Sequence, residues 1–227
     1  MKILPQSFFR RECLEVAVDL IGKQLRHGPV TLRITEVEAY RFPGDTANHS
    51  RVGKTPRNAP MWGPPGHAYL YLCYGLHQML NLVTDDVGSA AAVLIRACEP
   101  VSGLAQVQAR RGGKLGPVLL TGPGKVASAL ALDSSFNNAP LFGARGAASG
   151  LRVLDAEPVR KLLVGPRVGI DYADPIDRDA PWRIALADSK WVSQRKTLAP
   201  LELSVAQFLA TERYLSADRA TIARAPR

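Results

Sequence analysis

The stretch Arg33-Ile-Thr-Glu-Val-Glu-Ala-Tyr40, followed by Asp45 and His49-Ser50-Arg51, gathers acid/base side chains in a short span. Its alternation reads as a strand over 30–40, where positions 34, 36, 38 and 40 share one face. A charged residue in a buried strand costs free energy unless it is paired or used. Glu36 and Glu38 beside Tyr40 therefore mark a candidate site. Glu38 is placed to act as a general base, a role suited to a carboxylate in a partly apolar pocket. The bland alternative is a salt-bridged strand residue on a wet face. Glu36, Glu38, Asp45 and His49 are also possible metal ligands. No second His stands at ligand spacing, so acid/base chemistry is preferred and neither metal nor cofactor is expected.

Gly66-His-Ala-Tyr-Leu-Tyr-Leu-Cys-Tyr-Gly75 carries the second signal. Tyr69, Tyr71 and Cys73 face one way along a strand, and Leu70 and Leu72 the other. Tyr74-Gly75 falls between two strand patterns and reads as a hairpin tip. Interleaved tyrosines suit base stacking, and an aromatic at a tip suits insertion into a duplex. Half-buried core tyrosines with wet hydroxyls are the alternative. Asn81 interrupts an apolar run, so its amide must find partners. Arg96 ends the run Ala91-Ala-Val-Leu-Ile-Arg96, and a buried Arg there needs Glu36 or Glu38. Thr121-Gly-Pro-Gly-Lys125 precedes a helix, and Gly122, Gly124 and Lys125 are candidates to hold a phosphate. It is not a Walker A sequence, because position 119 is Leu and position 126 is Val. Arg51, Lys54, Arg57 and the Lys190/Arg195/Lys196 group are further phosphate candidates, each also readable as a solvated surface charge.

The elements that must position these groups follow from the rest of the chain. Ser7 is expected to cap a helix through Leu20, ended by Gly22. Strands are expected at 30–40, 67–74, 76–84, 90–98, 151–155, 167–171 and 182–187. Ser102 should start a short helix that stops at Gly112-Gly113, and another should run Val126 to Leu132. Segments 41–66 and 133–150 read as loop. Runs of strands with few helices between them imply an α+β fold, a single domain with a curved, mainly antiparallel sheet, roll or open-barrel-like, flanked by short helices. Residues 1–197 are expected to form that domain and 198–227 a C-terminal extension, with a helix from Ser204 to Tyr214 and then coil.

At 227 residues the chain can bury a full core, and 46% hydrophobic with 22% charged residues is a globular composition. Twenty-nine Lys and Arg against 20 Asp and Glu leave a net charge of +9, a field that draws polyanions, nucleic acid first. Three scattered cysteines without C-x-x-C, and no export or membrane-spanning segment, point to a reducing, cytoplasmic setting.

Glu36-Val-Glu-Ala-Tyr40, Asp45, His49-Ser-Arg51, Thr55-Pro-Arg-Asn58, Tyr69-Leu-Tyr71, Tyr74-Gly75, Asn81, Leu94-Ile-Arg-Ala97 with Glu99-Pro100, Gly122-Pro-Gly-Lys125 and Trp191-Val-Ser193 occur in that order. Over roughly residues 7 to 194 the chain resembles the alkyladenine (3-methyladenine) DNA glycosylases, in a compact form like the bacterial members. The resemblance implies a monofunctional glycosylase for alkylated or deaminated purines, including 3-methyladenine, 7-methylguanine and hypoxanthine. It would act as a monomer on double-stranded DNA and leave an abasic site for base excision repair. It implies Glu38 as general base, with Arg96 and His49 holding water, carboxylate or sugar-phosphate. Tyr40, His49, Tyr71 and Asn81 would form the base pocket and Tyr74 the intercalating wedge. Tyr69, Arg51, Lys54, Arg57, Gly122, Gly124, Lys125, Lys190 and Trp191 would meet the DNA backbone. Leu76 and His77 depart from the mammalian pattern of Met and Tyr. Two other classes share part of these features: a silent binder of damaged duplex, which needs Tyr74 but not Glu38, and a metal-dependent phosphoesterase.

Overall fold

The computed structural model describes residues 1–159 and 161–212, apart from the side chains of 145–147. The expected N-terminal helix is two helices, α1 (Gln6–Phe9) and α2 (Cys13–Leu20). The break falls at Arg10–Glu12 because Glu12, not Ser7, caps the longer piece. Its carboxylate accepts from the N–H groups of Leu14 and Glu15 at 2.9 and 3.1 Å. Strands β1 (Gln24–His27) and β2 (Val30–Tyr40) follow, then β3 (Ala68–Cys73), β4 (His77–Thr84) and β5 (Ala91–Ser102). Next come α3 (Leu104–Arg110), α4 (Pro123–Ala129), α5 (Gly143–Ser149), β6 (Leu151–Leu154) and β7 (Leu162–Gly165). The described chain closes with α6 (Pro175–Arg178), β8 (Arg183–Leu186), β9 (Ala199–Pro200) and a helix over 205–212.

One open, antiparallel sheet runs β3-β4-β5-β2-β8-β7-β9, and β1 joins β2 to β6. The fold is α+β and single-domain, as expected. Helices α2, α3 and α4 cover one face of the sheet, where Leu14, Ala17, Leu20, Val107 and Val126 pack with Leu32, Val37, Val93 and Ile95. The opposite face carries the polar cluster of β2.

That division depends on an irregularity in β2. Register shifts stand on both sides of Glu36 in the β2/β5 pairing. Val30, Leu32 and Ile34 lie in the main core, but beyond the shift it is Val37 and Ala39 that do so. Ile34 therefore does not share a face with Glu36, Glu38 and Tyr40, contrary to strict alternation. A β-bulge inserts one residue and inverts the side-chain parity downstream.

Other expectations need correction for local reasons. Segment 167–171 is loop, since Pro166 offers no N–H to a ladder and Gly169 has φ +76°. β5 runs on to Ser102, so the following helix starts at Leu104 behind Gly103. There a Cβ would sit 2.7 Å from the Pro29 carbonyl, and φ is +75°. The segment read as loop at 133–150 holds α5, whose small residues gave no apolar period. Strands β1, β7 and β9 were too short or too uniformly apolar to show alternation. β9 pairs with β7, and Phe208 from helix 205–212 is buried in the main core, so 198–212 joins the same body. The expected helix end at Tyr214 and the coil after it lie outside the described residues.

Asp85 starts the turn after β4 at φ +61°. Burial, reinforced by repulsion from Glu12, raises its pKa to about 6. The folded protein thus holds this proton more tightly than the unfolded chain, and stability is lost as pH rises through that value. Asn tolerates the left-handed conformation and carries no charge. Asp85→Asn is expected to raise the melting temperature at about pH 8 and to give a smaller gain near pH 4. Equal shifts at the two pH values would contradict this account.

Candidate active site

Glu38 is fully buried and held by two hydrogen bonds and an ion pair. The Tyr40 hydroxyl donates to one carboxylate oxygen at 2.8 Å. The Val168 N–H donates to the other at 2.9 Å, and an Arg96 Nη1 lies 3.3 Å from that same oxygen. Glu36, two residues earlier on the same face, is held differently. It accepts from the Ser193 N–H and hydroxyl at 2.6 and 2.9 Å and pairs with Arg183 and Arg96 at 3.3 Å each. Burial pushes the Glu36 pKa up, against the pull of Ser193 and both guanidiniums. Arg96 spans the two carboxylates and also donates from Nε to the Ser193 hydroxyl at 3.0 Å.

Asp45 is spent on another cation. Arg167 reaches it through two nitrogens at 2.6 and 2.8 Å, a bidentate pair with both side chains fully buried. The same guanidinium lies 4.7 Å from the centre of the Tyr40 ring and donates to the Ala39 carbonyl. Of the groups considered as metal ligands, Glu36 and Glu38 are thus tied together by Arg96, while Asp45 is committed to Arg167. Among the described residues no three His, Cys, Asp or Glu side chains gather around a common point.

In front of Glu38 opens a cavity of about 500 Å³. Tyr40, Arg96 and Val168 form its inner end, so Glu38 stands one layer behind the wall. His49, Tyr69, Tyr71, Asn81 and Tyr172 line its sides. His49 meets Tyr71 edge-on with ring centres 4.5 Å apart, and its Nδ1 lies 3.2 Å from the Tyr69 hydroxyl. Burial lowers the His49 pKa, and Arg57 and Arg51 lower it further, so the imidazole is neutral near pH 7. Burial, together with Glu38, raises the Tyr40 phenol well above its usual value, which keeps it a donor. Asn81 Nδ2 is tied to the carbonyls of Tyr69 and Met79, both at 3.2 Å.

Tyr74 stands at the cavity mouth, 91% exposed, on the β3/β4 hairpin. Tyr74 and Gly75 have φ of +51° and +70°, and Leu76 N–H closes the turn on the Cys73 carbonyl. Arg51, Lys54, Arg57 and Lys190 are exposed. Arg51 lies 4.9 Å from the Tyr172 ring. Lys125 folds over Gly122, and Gly124 packs so closely on His77 that a Cβ would come within 2.8 Å. Two residues expected at the DNA backbone sit further in. Tyr69 is 1% exposed and points to His49, while Trp191 packs on the core and accepts from the Thr35 hydroxyl.

The residue model for methylpurine-DNA glycosylase matches positions 7–190. The chain belongs to the methylpurine-DNA glycosylase family. Among the glycosylase's relatives, "Putative 3-methyladenine DNA glycosylase" of Nitrosococcus oceani is 61% identical over 198 residues, which is 87% of this chain and 96% of that protein. The "DNA-3-methyladenine glycosylase" of Arabidopsis thaliana is 55% identical over 204 residues, covering 88% of this chain and 78% of the plant protein. The expected class, a DNA glycosylase of DNA repair, therefore stands, and DNA is its partner.

Sequence reasoning did not single out Arg167, Arg183, Val168 or Tyr172. Arg167 was within reach, because like Arg96 it follows an apolar run, Leu162-Leu-Val-Gly-Pro. Arg183 and the Val168 N–H carry no such mark. Removing one partner of a buried pair leaves the other charge uncompensated, which costs about 3–5 kcal/mol. Asp45→Ala is expected to lose that much in urea unfolding, with Asp45→Ala/Arg167→Leu recovering part of it. A loss below about 1 kcal/mol would show that the Asp45–Arg167 pair does not hold this loop.

Proposed function

We propose that this glycosylase flips alkylated or deaminated purines out of duplex DNA into the cavity and hydrolyses the N-glycosidic bond, with Glu38 activating the water. Its substrates include 3-methyladenine, 7-methylguanine and hypoxanthine. One observation carries this reading: a buried, triply held carboxylate stands directly behind an aromatic cavity whose mouth bears a tyrosine 91% exposed.

A base inside a duplex is out of reach of any catalytic group and must leave the stack. Tyr74, fixed on a tight turn, is suited to fill the gap that the base vacates. The net charge of +9 favours the phosphates. Tyr40, Tyr71 and His49 offer ring surfaces to the flipped base. A purine methylated on a ring nitrogen is cationic, and stacking on electron-rich rings contributes about 1–2 kcal/mol once desolvated. A neutral His49 adds no repulsion.

In the chemical step Glu38 accepts a proton from water while the water oxygen bonds to C1′. The bond from C1′ to the purine nitrogen breaks, and its electron pair leaves with the base. A cationic methylpurine departs as a neutral molecule. The carboxylate also stabilises the oxocarbenium-like transition state. Among the described residues no lysine lines the cavity. Together with the water route this supports a reaction that stops at the abasic site. The enzyme would act as a monomer in the cytoplasm, or on the nucleoid of a bacterium, and open base excision repair.

Glu38→Gln is expected to bind methylated duplex as the parent does and to release base on the order of 10²–10⁴-fold more slowly. Near-parental release from that variant would sink the assignment. Tyr74→Ala is expected to weaken binding to a hypoxanthine-containing duplex by about 1–3 kcal/mol with the melting temperature unchanged. Unaltered affinity would remove the wedge role.

A further inference from the structure

The family match ends at residue 190, yet a later segment packs behind the wall of the cavity, linked to it through Trp182 and Arg167. Helix 205–212 buries Phe208 in the main core and Glu212 at 5% exposure. The Trp182 indole N–H donates to Glu212 Oε2 at 2.7 Å. Trp182, itself 1% exposed, has two guanidiniums against its ring, Arg41 at 4.5 Å and Arg167 at 4.9 Å. Arg167 in turn lies over Tyr40, whose hydroxyl holds Glu38. The Trp182 carbonyl also accepts from the Ala39 N–H at 2.9 Å, directly beside Tyr40.

We propose that helix 205–212 is a working part of the active site, with Glu212 and Trp182 as positioning residues. Glu212 fixes the plane of the indole. The indole fixes Arg167, and Arg167 with the Ala39 contact fixes Tyr40 against Glu38. A carboxylate acceptor gives a short, directional bond to the indole N–H, and a ring held at one angle presents one face to a cation. Small misplacements of a catalytic group cost rate steeply, so this hold should register in the chemical step. None of these groups lies on the exposed basic surface, so it should not register in the grip on DNA. The inference rests on the assignment of Tyr40 and Glu38 made above.

The test uses the full chain and duplex carrying methylated purines, under single-turnover conditions with enzyme in saturating excess. Glu212→Ala and Trp182→Phe are each expected to slow base release by fivefold or more. Trp182→Phe keeps an aromatic ring near both guanidiniums but removes the indole N–H together with part of the buried ring. Glu212→Gln, which retains an acceptor, should stay within twofold of the parent. Affinity for undamaged duplex should stay within twofold throughout. The double variant Glu212→Ala/Trp182→Phe should be no slower than the slower single variant. Parental release by both single variants, at a temperature where circular dichroism shows them folded, overturns the proposal. So does a loss confined to duplex affinity, or a failure of Gln to rescue. If Glu212→Ala does not fold, Trp182→Phe decides alone. Glu38→Gln run alongside separates the two readings. Retained excision by that variant removes the underlying site, whereas its loss together with full rates at 182 and 212 removes only the brace.

Discussion

Three carboxylates and three guanidiniums share the face of the sheet turned away from the main core. Glu36, Glu38 and Asp45 are each at most 2% exposed, and Arg96, Arg167 and Arg183 at most 8%. Removing such groups from water costs several kcal/mol per ion, and attraction repays it only when geometry and further hydrogen bonds are good. Much of the remaining architecture can be understood as meeting that condition. Loop 166–170 supplies the Val168 N–H and Arg167, β8 supplies Arg183, and the segment after it supplies Ser193. Segments far apart in the chain thus converge on β2 because its carboxylates require partners.

The two glutamates divide the work by the chemistry of their partners. Glu36 is surrounded by two guanidiniums and both donors of Ser193, with no edge on the cavity. Glu38 has a phenol, an amide and one guanidinium, and all three of those residues face the cavity. Arg96 joins them, so a movement of either carboxylate is felt by the other. An arrangement of this kind is stiff, as a group that must meet a water at a defined angle requires.

The site was more legible from sequence than the fold around it. Glu36, Glu38 and Tyr40 share one face of a strand, and His49 follows close behind in sequence. Tyr74-Gly75 betrayed the hairpin because Gly accepts positive φ. Arg167 was marked only by the apolar run before it, and Arg183, Trp182 and Glu212 carried no mark, since their roles depend on partners some 120 to 150 positions away or on a helix outside the family motifs. The strand expected at 167–171 failed for a related reason. Its apolar alternation was real, but Val168 and Arg167 spend their polar groups on Glu38 and Asp45 instead of a neighbouring strand.

The bulge beside Glu36 has a bearing on how the molecule can change over time. Before it, even-numbered residues of β2 face oil; after it, they turn to the side of the sheet on which the chamber lies, where Tyr40 lines it. Losing one residue there would turn the strand over, sending Glu38 into hydrocarbon and Val37 into the chamber. Substitutions in β2 can be sampled one at a time, but its length is frozen. Outward-facing side chains can vary while this one strand keeps its count.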